Sequence, residues 1–137
     1  MKLLIDSNIL LDILQEREPF IVDSYQIWNL CEKKKVDGFI SNLTFANIVY
    51  IMRKQIQSNN IDHILNYMSR IFNFEDLQFA DLQNAASLKW KDFEDAIQYV
   101  TAERIHADYI ITRNTKDFQN AEITALTPNE FLEKFHI

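Results

Sequence analysis

Asp6, Asp95, Asn114 and Asp117 stand at strand ends or at the start of a helix, where a polar side chain is best placed for chemistry. Asp6-Ser7-Asn8 directly follows the strand-like run Lys2-Leu-Leu-Ile5 and precedes an apolar segment, Ile9 to Leu14. Asp92-Phe-Glu-Asp95 opens a segment in which Ala96, Ile97, Val100, Thr101 and Ala107 share one side of a 3.6-residue wheel. Asp95 therefore lies in the first turn of a core-facing helix and points away from its stripe. Arg104 falls on that stripe, out of pattern. Tyr109-Ile-Ile111 is apolar and too short for a helix, which suits a buried parallel strand, and the loop Thr112-Arg-Asn-Thr-Lys-Asp117 leaves its carboxyl end. Ligands of open α/β sheets collect at such ends. Two buried strands that end in carboxylates and a helix that begins with one would converge on a single acidic pocket, and like charges held that close call for a cation.

Taken singly, each acid has a plainer role. Asp95 would be an early-helix acid favoured by the helix dipole and Asp117 a loop acid, each worth under ~1 kcal/mol. Asp92 reads as a helix cap and Asp12 as a structural acid. Glu94 is a weaker pocket candidate than Asp95. His63, His106 and His136 are scattered over separate elements and form no ligand set.

The elements that must position these groups alternate. A helix is expected from about Val22 to Lys35, its basic end complementing the dipole. Gly38 turns the chain into a short strand at Phe39-Ile-Ser41. Thr44 to Gln57 and Ile61 to Phe72 read as amphipathic helices forming a hairpin across Ser58-Asn-Asn60. A third strand is expected at Phe74 to Leu77, a helix at Leu82 to Lys91, and a last strand at Glu122 to Leu126. Thr127-Pro-Asn-Glu130 carries a cap residue, a proline at the first helical position and an acid three after the cap, which signals a final helix. The β-α-β-α order implies an α/β fold with a parallel sheet.

The whole chain bounds the answer further. At 137 residues it forms one domain, 1–137, able to bury roughly 70% of the unfolded surface without staples. With 47% hydrophobic residues, one Gly and two Pro, it has no low-complexity linker. Cys31 is the only cysteine, which rules out an intramolecular disulfide or a Cys-rich zinc site and suits core packing. No apolar stretch approaches the ~20 residues of a spanning helix, so no membrane role is expected and the cytoplasm is the expected location. A net charge of −6 argues against a general nucleic-acid coat but leaves room for a local basic groove. Arg113 and Lys116 flank the acidic pocket and are the first candidates to touch phosphate, ahead of Lys33 to Lys35, Arg53, Lys54, Lys89 and Lys91.

Leu4-Ile-Asp6-Ser-Asn-Ile-Leu-Leu-Asp12, Gly38-Phe-Ile-Ser-Asn-Leu-Thr-Phe-Ala-Asn47-Ile, Asp92-Phe-Glu-Asp95-Ala and Ile111-Thr-Arg-Asn-Thr-Lys-Asp-Phe118 together resemble the PIN-domain family, in order and across essentially the whole chain. No single motif is specific; the ordered set carries the likeness. The resemblance implies a three-layer α/β/α domain with a central, mostly parallel sheet of four to five strands. It also implies a Mg²⁺- or Mn²⁺-dependent ribonuclease, of the kind that forms the toxin half of a VapC-like toxin–antitoxin pair. The expected partners are RNA, a protein antitoxin and a second copy of the chain in a homodimer.

Residue by residue, the resemblance assigns Asp6 and Asp95 as principal metal ligands, with Asp117 or Asn114 from the loop after the Tyr109 strand. Thr112, Ser7 and Asn8 would supply orienting donors. Asn47 occupies the position where PIN domains usually carry a Glu; its oxygen can still ligate Mg²⁺ but brings no charge and no general base. Asp6, Asp95 and Asp117 suffice for one Mg²⁺ with retained waters, a second ion arriving only with substrate phosphate. Water would attack the phosphate in line, leaving 5′-phosphate and 3′-hydroxyl ends. Two alternatives stand beside this. One is a PIN-fold binding module with lost or weak nuclease activity, motivated by Asn47 and Asn114. The other is a phosphotransferase or phosphatase with Asp6 as nucleophile, which wants an Asp where Asn8 stands.

Overall fold

The computed structural model describes residues 1–137. Five strands, β1 (Lys2–Ile5), β2 (Asp37–Ser41), β3 (Asn73–Glu75), β4 (Tyr109–Ile111) and β5 (Ala125–Leu126), form one sheet in the order β3-β2-β1-β4-β5. Every pairing is parallel, so the mostly parallel sheet expected is wholly so. Side chains alternate between its faces. Leu3, Ile5, Ile40 and Ile111 enter one core with α1 (Ser7–Leu14), α2 (Ile21–Glu32), α3 (Asn42–Ile51), α4 (Ile61–Ser69) and α7 (Pro128–Lys134). Leu4 and Ile110 enter the other, under α6 (Phe93–Arg104), with α5 (Phe79–Ser87) packed on α6. Helices on both faces of a parallel sheet give the three layers.

The chain winds one way from β1 through β2 to β3 and then returns to place β4 on the other side of β1. The carboxyl ends of β1 and β4 are therefore a topological switch point, the crevice where open α/β sheets bind ligands. Ile5 pairs with Ile111, and the Asp6 amide donates to the Ile111 carbonyl at 2.9 Å, so Asp6 and Thr112 leave the sheet side by side.

Several boundaries differ from expectation, each for a local reason. Helix α2 stops at Glu32, before the three lysines; Lys34 turns to φ 57° and its ammonium donates to the carbonyls of Arg70 and Ile71 at 2.9 and 3.1 Å, serving the end of α4 instead of its own helix. Helix α3 starts at Asn42 because the Ser41 hydroxyl caps Leu43 N–H, and it ends at Ile51, after which Met52 and Ile56 are the only apolar residues available to bury. Helix α4 stops at Ser69, leaving Ile71 and Phe72 buried in the turn before β3. Helix α5 runs three residues earlier than expected because Gln78 and Asp81 form a capping box, and Lys89 at φ 58° ends it. Strand β5 is confined to Ala125 and Leu126. The capping box of Thr127 and Glu130 and the first-turn Pro128 open α7 as expected.

Arg104 also finds its explanation. From the last turn of α6 it donates to Glu75 Oε1 (2.6 Å), the Asp76 carbonyl (2.7 Å) and both oxygens of the buried Asp81 (3.0 and 3.1 Å). It ties α6 to the end of β3 and the start of α5. The lone glycine is a close-approach position: a Cβ at Gly38 would lie 2.5 Å from Cys31 Sγ. Cys31 is fully buried, and burial pushes its thiol up to about 12.

Candidate functional site

Asp6 ends β1 and caps α1, its φ of −73° and ψ of 154° holding it extended between the two. Its carboxylate is nearly enclosed and meets donors on both oxygens. Oδ1 accepts from Ser7 N (2.8 Å) and Gln98 Nε2 (3.2 Å), and Oδ2 from the Thr112 hydroxyl (2.8 Å) and Asn8 Nδ2 (3.5 Å). Burial raises its pKa, against the bonds from Thr112, Ser7 and Gln98, and the Asp117 charge raises it further.

Asp95 approaches from the opposite face of the sheet, in the first turn of α6. Its N–H is capped by Asp92 Oδ1 at 3.1 Å. Burial comes first in lifting the Asp95 pKa to about 7, and the charges of Asp92, Asp6, Asp117 and Glu94 add to it. The third acid, Asp117, rides on a single 3₁₀ turn, Thr115–Phe118, fixed by the buried Phe118 ring.

Asp6, Asp95 and Asp117 line one cleft of about 210 Å³, together with Ser7, Asn8, Asn47 and Asn114. Asn114 and Asp117 both face it, where the sequence had left open which of the two points inward. Thr112 lies fully buried beneath the cleft and links its parts: besides bonding Asp6, its hydroxyl accepts from Asn8 Nδ2 (3.2 Å) and Asn114 N (3.1 Å). Ser7 reaches Asp6 through its main-chain N–H, not its hydroxyl.

One expectation changes. Arg113 does not line the acidic cleft; its Nε donates to Asp12 Oδ2 at 2.7 Å and its guanidinium lies 4.2 Å over the Phe20 ring. Asp12 is fully buried and is the anchor for that arginine, with Arg17 at 3.8 Å. The reason is electrostatic, since a buried carboxylate on the neighbouring helix claims the nearest guanidinium. Lys116 does face the acids, in an adjoining cleft it shares with Asp95 and Asp117.

Gln98 and Thr44 escaped the sequence reading. Gln98 Nε2 bridges Asp6 and the Thr44 hydroxyl (3.0 Å), while its Oε1 is buried without a donor. The available signal was spacing, since Gln98 lies three residues after Asp95 and so on the same side of α6.

The site's donors are carboxylate, amide and hydroxyl oxygens, the hard set that Mg²⁺ and Mn²⁺ take, and the repulsion that adds to burial in lifting Asp95 is what such a cation would relieve. The residues therefore fit a hard divalent ion. No three acidic, histidine or cysteine side chains are drawn together into a ready-made cage; the carboxylates face the cleft from separate elements. No helix is long and apolar enough to cross a membrane.

A family model described as a PIN domain matches residues 2–116. Ribonuclease VapC1 of Aquifex aeolicus (strain VF5) is 27% identical over 139 residues, covering 98% of this chain and 96% of that protein. Among solved structures, a toxin–antitoxin complex from Klebsiella pneumoniae contains a chain with a TM-score of 0.68 and 25% identity, covering 91% of this chain and 96% of that one. VapBC2 from Rickettsia felis, bound to a DNA fragment from its promoter, gives a TM-score of 0.67 at 16% identity over 93% and 98% of the two chains, a likeness of fold alone.

Proposed function

The chain belongs to the PIN-domain family, and from that premise we propose that it is a divalent-metal-dependent endoribonuclease, the toxin of a type II toxin–antitoxin pair. The observation that carries this is the cleft at the switch point, where Asp6, Asp95 and Asp117 arrive from three separate elements. The 27% identity to a ribonuclease over nearly the full length of both chains supports it.

Asp6, Asp95 and Asp117 would hold Mg²⁺ or Mn²⁺, with Asn47 or Asn114 able to add a neutral oxygen. Bound there, the ion would relieve charge on the phosphoryl oxygens and lower the pKa of water enough to supply hydroxide as the nucleophile near neutral pH. The chain's own residues set the geometry. Thr112, Gln98, Asn8 and Ser7 N–H fix both oxygens of Asp6, so its orientation does not depend on substrate. Asp92 caps α6 and holds Asp95 at the cleft.

Solved relatives include toxins seated with their antitoxins. For this chain the corresponding partner is a small protein that lays a basic side chain into the acidic cleft, where opposite charge would block substrate and cation together. A homodimer completes the assembly.

The deciding experiment is cleavage of end-labelled total tRNA and ribosomal RNA with Mn²⁺, Mg²⁺ or EDTA, beside Asp95→Asn. Discrete cuts that need the metal and vanish in the variant are expected. A second possibility is a PIN-fold module that holds RNA without cutting it, favoured by the amide of Asn47 on the cleft wall. An inert parent with an active Asn47→Glu variant would establish that module and remove the nuclease.

A further inference from the structure

A second cleft, of about 810 Å³, adjoins the acidic one and shares Asp92, Asp95 and Asp117 with it. Its remaining wall carries Lys89, Lys91 and Lys116. All three lysines are exposed, and none takes part in the ion pairs of the structure, which engage only Arg17, Arg104 and Arg113. In a chain of net charge −6, three uncommitted cations stand among the three acids of this cleft, so its lining is balanced in charge where the molecule as a whole is acidic.

The segments that carry them are anchored by aromatic packing. Trp90, between two of the lysines, stacks on Tyr99 at 5.1 Å and 17° and meets the edge of Phe118 at 6.1 Å. Phe118 closes the 3₁₀ turn that carries Lys116 and Asp117. One aromatic cluster thus sets the spacing between both lysine-bearing segments and the third acid. The lining of the acidic cleft itself contains no lysine or arginine, and Ser7, Asn8, Leu43, Thr44 and Asn47 line it without lining the lysine cleft.

We propose that the lysine cleft is the path of single-stranded RNA on one side of the scissile phosphate, gripping backbone phosphates without reading bases, while the strand beyond the cut is left unheld. This rests on the nuclease reading and adds to it where the substrate is bound. Each lysine acts as a compact charge on a phosphate, so binding is salt-dependent and tolerant of sequence.

The test uses a fluorescent single-stranded RNA of about 12 nucleotides, mixed in sequence, titrated with full-length protein in the Asp95→Asn background with Mg²⁺. With Lys89→Gln, Lys91→Gln and Lys116→Gln combined, the slope of log affinity against log salt is expected to fall by about 2, from roughly 0.7 per phosphate contact. Removing the same charge elsewhere, with Lys33→Gln, Lys35→Gln and Lys134→Gln, is expected to leave the slope in place. An unchanged slope in the first triple variant, equal loss in both, or no binding by the parent overturns the proposal.

In the Asp95 form, trimming a cleavable RNA on one side of its cut is expected to raise KM about tenfold with kcat kept, and trimming the other side to do little. Equal loss from both sides overturns the one-sided path. The lysine triple variant is expected to be indifferent to trimming. Cleavage by the parent with no effect of the lysines sinks the cleft and spares the nuclease. A lysine-dependent slope without any cleavage does the reverse.

Discussion

Asp95 is the residue whose environment makes the sharpest prediction. Its pKa lies near 7 in the folded chain against 3.8 for the free side chain, so the folded state holds that proton more tightly. The stability it contributes is complete below about pH 3.8 and is lost as pH rises through 7. A divalent cation held by Asp95 would bind its ionised form and so act in the opposite sense, stabilising more as pH rises. Melting curves from about pH 5 to 8.5 should show wild type in EDTA falling relative to Asp95→Asn, and Mg²⁺ raising wild type most at the alkaline end. A Mg²⁺ effect that is flat with pH, or equal in Asp95→Asn, would contradict this. At this scale Asp6, Asp95 and Asp117 were legible because acids at strand ends and helix starts follow from short-range pattern. Gln98 was not, and Asp12 was legible as a structural acid without its partner, because both contacts depend on what packs across the sheet: Gln98 reaches a carboxylate ninety-two positions away, and Asp12 takes Arg113 from the phosphate role its position suggested.

Caps and one arginine decide how the elements are held. Arg104 is the principal polar link between the end of α6 and the β3–α5 corner, and its removal strands Asp81, which is only 1% exposed. Arg104→Ala should therefore cost about 3 kcal/mol in urea denaturation, toward the low end for a broken buried pair because Asp81 also accepts from Gln78 N–H. A loss below about 1 kcal/mol would mean the corner holds by packing alone. The same arginine shows how far periodicity carries. The 3.6-residue stripe located α6 correctly, and the charge that violated it marked a partner no local pattern could supply. Helix starts read well where Asp92 and Thr127 cap them, and poorly at α5, whose Gln78 and Asp81 box lies outside the segment that apolar spacing picked out.

Across the whole molecule, the alternation of strand-like runs and amphipathic stretches was enough for a parallel α/β sheet, since parallel strands need helical crossovers. Strand order was not legible from spacing, because nothing in a three-residue strand such as Tyr109–Ile111 says that it docks beside β1. The assembly proposed for the chain is tested at this scale by mass. Tyr50 and Ile51 on α3 and Leu65 and Tyr67 on α4 remain exposed at 66%, 46%, 38% and 51%, more apolar surface than two short helices usually leave open. Light scattering should give twice the chain mass for the protein alone, and a larger complex when it is co-expressed with the product of an adjacent small reading frame. A strict monomer in both preparations would remove the homodimer and the antitoxin together.

The order in which the strands come together has a further consequence during synthesis. Asp6 is made more than a hundred residues before Thr112, which holds it, and Asp117, which shares its cleft, and β4 completes the centre of the sheet by pairing with β1. Until β4 has left the exit tunnel and paired with β1, the acids cannot meet. A nascent chain of this kind has no assembled acidic cleft until that pairing is made.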